Sequence, residues 1–185
     1  MNEESSKKNN RLKPIYQILI ILLTIALQYT AMQYVSLFGA KPNLSLVITV
    51  VIALSVGTES AALSGLFLGL YQDASSGKIL GMYALIYLYV GVVAGFFSKK
   101  DSMKSLPATI IITYLLSAVA EGSLYLFGYA IPLLRGGYQP TAGLIFALSR
   151  IIIPASFLNA VLAVPYYFLF KPTKEKEKEI SAHVV

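Results

Sequence analysis

The sequence predicts an all-α, polytopic membrane protein with six transmembrane helices. Hydrophobic residues make up 56% of the 185-residue chain and charged residues only 13%, too few to clothe a soluble domain of this length in polar groups. The charges are also bunched, at residues 7–13, 99–104 and 171–179. Between the bunches lie apolar stretches able to cross roughly 30 Å of hydrocarbon, which takes about 20 helical residues. Runs such as "QILIILLTIAL" are apolar on every face, unlike the alternating strands of a transmembrane β-barrel.

The elements follow in order. Residues 1–13 form a polar, mobile cytoplasmic tail, residues 14–170 the six-helix domain, and residues 171–185 a charged cytoplasmic tail. Span one is Ile15 to Phe38, too long for the core of a signal peptide, and "GAKPN" turns the chain. Leu44 to Tyr71 is either one long tilted helix or two short ones broken at Gly57-Thr58-Glu59-Ser60. Then come Ile79 to Phe97, Leu106 to about Leu134, and Ala142 to Phe170.

Basic residues decide between the two forms. With the break, Lys7, Lys8, Arg11, Lys13, Lys99, Lys100, Lys104, Lys171, Lys174, Lys176 and Lys178 share one side, eleven against Lys41, Lys78 and Arg135 on the other. Without it the balance becomes six inside and eight outside. The positive-inside rule selects six spans with both termini cytoplasmic. Spans two and three are then short, near 20 Å at about 1.5 Å per residue. They must thin the bilayer or shelter behind longer neighbours.

The net charge of +6 is this topology signal and does not imply a nucleic-acid partner. There is no cysteine, and the single histidine, His183, lies in the tail. No metal cluster, nucleophile–base pair or phosphate-cradling loop is present in the sequence, so no enzyme and no cofactor are expected.

Gly57, Ala61, Gly65 and Gly69 recur at intervals of four, with Asp73 the next step. Small residues so spaced let a second helix approach closely, and Gly91 with Gly95 supplies a matching pair, so an interface internal to the fold is expected. Asp73 then stands at the outer end of the ladder, where the helix C-terminal dipole disfavours an anion. It needs a partner, either Lys78 or the N–H groups of "ASSG". Glu59 suits the start of a helix.

Two charges lie inside apolar runs. Glu121 is roughly 20 Å and Arg150 roughly 12 Å from the same face at about 1.5 Å per residue. Lone intramembrane charges are costly, so an ion pair between spans five and six is expected, with Asp73 a rival partner for Arg150. Gln28, Gln33 and Asn159 are candidates for hydrogen bonds across helices. Pro154 and Pro165 should kink span six. Tyr71, Tyr138, Tyr166 and Tyr167 suit interfacial positions, whereas Tyr83, Tyr87 and Tyr89 either fill a core or line a pocket.

The segment from Lys41 to Phe97 resembles the MreD family of rod-shape-determining membrane proteins. The resemblance rests on Pro42 before the second span, the stretch Gly65-Leu66-Phe67-Leu68-Gly69-Leu70 followed by Asp73, then Gly81, the Ala84-Leu85 pair and Gly91. The final span, with Arg150, Pro154, Asn159, Ala163 and Pro165, extends it over about residues 40 to 170. The resemblance implies a non-enzymatic scaffold in the bacterial cytoplasmic membrane. It would bind the bitopic protein MreC beside MreB, RodA and a class B penicillin-binding protein, and help organise lateral peptidoglycan synthesis. It also implies a six-helix arrangement similar to the substrate-binding subunits of energy-coupling-factor transporters, so a small-molecule-binding transporter subunit is the alternative function. Gly65, Gly69, Asp73 and Gly81 are expected to define the outer turn, and Glu121 and Arg150 a polar core.

Overall fold

A computed structural model describes residues 2–32, 34–36, 39–76, 80–100, 103, 105–134 and 144–170, with side chains described from 15 onward in the first helix, to 128 in the fifth and from 145 in the sixth. These residues form helices and no strand. They are α1 (Asn2–Thr30), α2 (Leu44–Ser55), α3 (Thr58–Ser76), α4 (Met82–Phe97), α5 (Leu106–Leu134), α6 (Leu144–Ala147) and α7 (Ile153–Phe170), the last two joined by a π-helical turn over Leu148–Ile152.

α2 is the axis of the bundle. It touches α1, α3, α4, α5 and α7, and every residue from Leu44 to Leu54 is buried. A helix apolar on all faces has to be enclosed, and "LSLVITVVIAL" offers only small hydroxyls as exceptions. At 12 residues its length is about 18 Å, well short of the hydrocarbon layer. The bundle shelters it behind longer rods. Around it, α3 packs on α4, α4 on α5, and α5 on α7. α1 joins this ring through side chains: Tyr16 Oη donates to the Leu169 carbonyl (3.4 Å), the Thr24 and Tyr166 hydroxyls bond (2.9 Å), and Tyr29 Oη donates to Gln72 Oε1 (3.1 Å).

The polarity is inside out. Leu22, Leu63, Phe67, Leu85, Val119 and Phe157 are each more than half exposed, while Thr49, Ser117, Asn159 and Asp73 are buried. Contiguous apolar surface on every outer rod marks contact with lipid rather than water. Two helical stretches, Leu106–Gly128 and Ile145–Phe170, are long and apolar enough to cross a bilayer by themselves.

Several boundaries differ from the sequence expectations. α1 starts at Asn2, so helix continues through the region expected to be a mobile tail. It ends at Thr30 instead of Phe38, because the Ala31 and Met32 N–H groups both close onto the Leu27 carbonyl. The break between α2 and α3 falls at Gly57, with φ +134°, where the Val56 and Gly57 N–H groups share the Ile52 carbonyl. α3 runs past Tyr71 to Ser76, enclosing Asp73, and α4 begins at Met82 rather than Ile79. The π turn stands immediately before Pro154. Proline donates no N–H and its ring collides with the carbonyl four residues back, here Arg150; the wider turn accommodates both.

Candidate functional site

The N-terminus of α2 lies deep in the bundle and gathers polar groups from the surrounding rods. Asn43 caps the helix, its Oδ1 accepting from Leu46 N–H at 3.3 Å, as asparagine does at an N-cap. Its Nδ2 donates to the buried Tyr87 hydroxyl on α4. Its main-chain N–H donates to Asn159 Oδ1 on α7 at 2.7 Å, and Asn159 Nδ2 donates to Ser117 Oγ on α5 at 3.2 Å. From α1, Gln28 accepts the Leu44 N–H at 2.7 Å and donates to the Pro42 carbonyl at 3.3 Å. α1, α2, α4, α5 and α7 therefore meet at one knot. At about 0.6 kcal/mol for each bond between membrane helices, the five bonds of the knot other than the α2 cap contribute roughly 3 kcal/mol. The larger effect is on register. Any slip buries an unpaired donor or acceptor, which costs about 1–3 kcal/mol.

Other buried hydroxyls are absorbed within their own helices. Thr24, Thr49 and Ser156 each donate to the carbonyl four residues earlier. Ser45 Oγ on α2 and Thr113 Oγ1 on α5 are buried with no hydrogen-bond partner among the described residues.

A second polar feature joins α3 to α4. Asp73, 3% exposed, sits in the last turn of α3 and turns its carboxylate onto the start of α4. Oδ2 accepts from the Gly81 and Ala84 N–H groups at 3.0 and 3.1 Å, and Oδ1 from Tyr83 N–H at 3.0 Å. Three main-chain donors that a helix start leaves open are thus satisfied by the preceding helix. The anion unwelcome at the C-terminus of α3 is held at the positive N-terminus of α4. Gly81 makes the geometry possible with φ +96°, a conformation that favours glycine. The donors are these three groups instead of the "ASSG" amides; Gly77 and Lys78 lie outside the described residues.

Below Asp73, α3 and α4 touch along their small residues. A Cβ on Gly69 would come within 2.4 Å of Ala84 Cα, one on Gly65 within 2.5 Å of the Tyr87 carbonyl oxygen, and one on Gly91 within 2.6 Å of the Ala61 carbonyl oxygen. Gly95 meets Thr58 in the same way. Gly57 takes no part in this contact; a Cβ there meets nothing within 4 Å, and its role is the left-handed turn.

The structure gives the polar residues that the sequence singled out different settings. Asp73 hydrogen-bonds main chain, so its expected rivalry for Arg150 is replaced by the cap on α4. Arg150 is exposed in the π turn, and Glu121 is half-buried on α5. Each has an interaction partner, and Glu121 acts electrostatically on Tyr83 and Tyr87. Glu59 is exposed in the first turn of α3. Tyr166, expected at an interface, is buried against Thr24, and Tyr87 is wholly buried. Gln33, Arg135 and Tyr138 lie outside the described residues. Asn43 and Ser117 were not singled out beforehand. The signal for Asn43 was a Pro-Asn pair directly before an apolar run, the mark of a helix N-cap.

An enclosed apolar helix inside an inside-out bundle defines a polytopic helical membrane protein. The family model for MreD, the rod shape-determining protein, matches residues 10–172. The chain belongs to the MreD family, bacterial membrane proteins of the MreB/MreC shape-determining system. No curated protein and no solved structure gave a significant match.

Proposed function

We propose that this protein is a non-enzymatic scaffold of the cell-wall elongation complex. It spans the membrane six times with both termini cytoplasmic, in an arrangement similar to the substrate-binding subunits of energy-coupling-factor transporters. It binds MreC and, through that partnership with MreB, RodA and a class B penicillin-binding protein, helps organise lateral peptidoglycan synthesis. The observation that carries this reading is the family match over residues 10–172, which implies a role in rod-shape determination. The interior supports it: the polar groups gathered around Asn43 bond across helices and fix their register, as a rigid docking surface requires.

The test is co-purification with MreC in mild detergent, wild type beside Arg150→Ala and Asp73→Ala. A stoichiometric wild-type complex is expected. Arg150 is exposed, so its loss should weaken the complex at unchanged folded yield. Asp73 is buried, so its loss should lower the yield first. Absence of a complex while both wild-type proteins are folded would overturn the proposal.

A further inference from the structure

The last rod of the bundle consists of two segments held to unequal degrees. α7 is fixed in place. Ala155, Asn159, Ala160, Ala163 and Tyr166 are buried, the helix packs on α2 and α5, and Asn159 is tied into the knot through Asn43 and Ser117. α6 and the π turn are held less. Ile145 is 83% and Phe146 53% exposed, Arg150 is exposed, and from Ile145 to Ile152 only Ala147 and Ile152 are buried. Among the described residues the turn packs on α5 and α7, and α6 on the turn. Segments with few buried contacts move at low cost.

The two segments meet where the backbone ladder is interrupted. The Ile153 N–H reaches back five residues to the Leu148 carbonyl. Pro154 brings no N–H to the Arg150 carbonyl. The Ser156 hydroxyl donates to the Ile152 carbonyl at 2.7 Å, a back-bond that bends helices. Departures of this kind, gathered in a few residues, are where a helix flexes. Facing the turn, α5 presents Gly122. A Cβ there would meet Ile152 Cδ1 at 4.0 Å and nothing nearer among the described residues, whereas Gly65, Gly69 and Gly91 have backbone pressed against them. The glycine on α5 therefore leaves a recess beside the turn.

We propose that Leu144–Ile152 is a hinged arm, which pivots at Ile153 and Pro154 toward and away from Gly122 while α7 stays in place. The inference rests on packing and backbone geometry and is independent of the scaffold reading. Phe146 lies eight residues from Pro154, about 12 Å along the rod, so a change of about 20° in the bend displaces it by roughly 4 Å. Arg150 travels with the arm. The hinge thus re-aims an exposed cation and leaves the Asn43 knot undisturbed.

The chain has no cysteine, so spin labels can be introduced in chosen pairs. Leu85→Cys on α4 is the fixed reference, and the second label is at Phe146→Cys on the arm or at Phe157→Cys on α7. All three positions are more than half exposed. Each full-length pair is reconstituted in phosphatidylcholine vesicles, frozen, and its distances measured by pulsed electron resonance. Hinge motions take roughly microseconds to milliseconds, so freezing retains both positions. The arm pair should show two distances, separated by up to about 4 Å, and the α7 pair one. Pro154→Ala returns a donor to the ladder and Gly122→Leu fills the recess, and each should reduce the arm pair to a single distance. An unchanged distance for the α7 pair shows that each variant is folded. A single distance for both pairs without these substitutions would overturn the proposal. So would two distances for both pairs, which places the motion elsewhere than at Pro154, and so would two arm distances that persist in either folded variant.

Discussion

Asp73 works by reaching across a turn. A carboxylate that accepts three main-chain N–H bonds while 3% exposed has little to replace it, because water is scarce where α3 and α4 meet. Asp73→Ala would leave those donors open, and a hydrogen bond to a charged group is worth about 1.5–3 kcal/mol. The expected loss is about 2–3 kcal/mol, with Asp73→Asn losing less because its amide oxygen still accepts. Denaturant titration of the detergent-solubilised protein measures both; equal stability of wild type and Asp73→Ala would refute the cap. The need for a compensating partner was legible in the sequence, since the residue sits at the wrong end of a helix dipole. Its donors were not, because they lie eight to eleven residues further on and depend on where α4 begins.

At the scale of the helices, small residues have two separate uses. Gly65, Gly69, Gly91 and Gly95 allow α3 and α4 to touch, whereas Gly128 on α5 faces open space. Gly69→Ala should force the α3–α4 pair apart, since its new Cβ meets backbone at 2.4 Å, and overpacking of this kind costs about 1–3 kcal/mol. Gly128→Ala should be neutral or stabilising by up to about 1 kcal/mol, because alanine is the better helix former. Thermal unfolding of the two variants in one detergent checks the contrast, and equal shifts would refute it. The four-residue spacing made the interface visible in the sequence. It misassigned Gly57 because a turn glycine and a packing glycine look the same when they fall in register. The Asn43 knot was harder to see, since its bonded partners are separated by as many as 116 positions and share no period. Asn159 could be picked out as a polar residue in an apolar span. Its bonds to Asn43 and Ser117 required the fold.

For the whole molecule, composition gave the class, the distribution of basic residues supports the proposed topology, and the enclosure of α2 explains how a short helix fits a thick bilayer. The six-span proposal places Lys41 and Lys99 on opposite sides of the membrane, whereas a five-span chain would place them on the same side. The chain has no cysteine, so Lys41→Cys and Lys99→Cys can be labelled one at a time with an impermeant thiol reagent in intact cells. Lys41→Cys should react from outside and Lys99→Cys only after permeabilisation. Labelling of both in intact cells would refute the six-span arrangement.

The central position of α2 also orders the birth of the molecule. At about 18 Å it is a poor passenger for the lipid phase alone, and both its flanks and its capped end are completed by segments synthesised later. The Asn43 main-chain N–H waits for the side-chain oxygen of Asn159, which leaves the ribosome only when most of the chain has been made. Until then the helix must lodge in an unfinished ring. Those last residues act as a lock, and a chain cut short before them has no finished interior to hold.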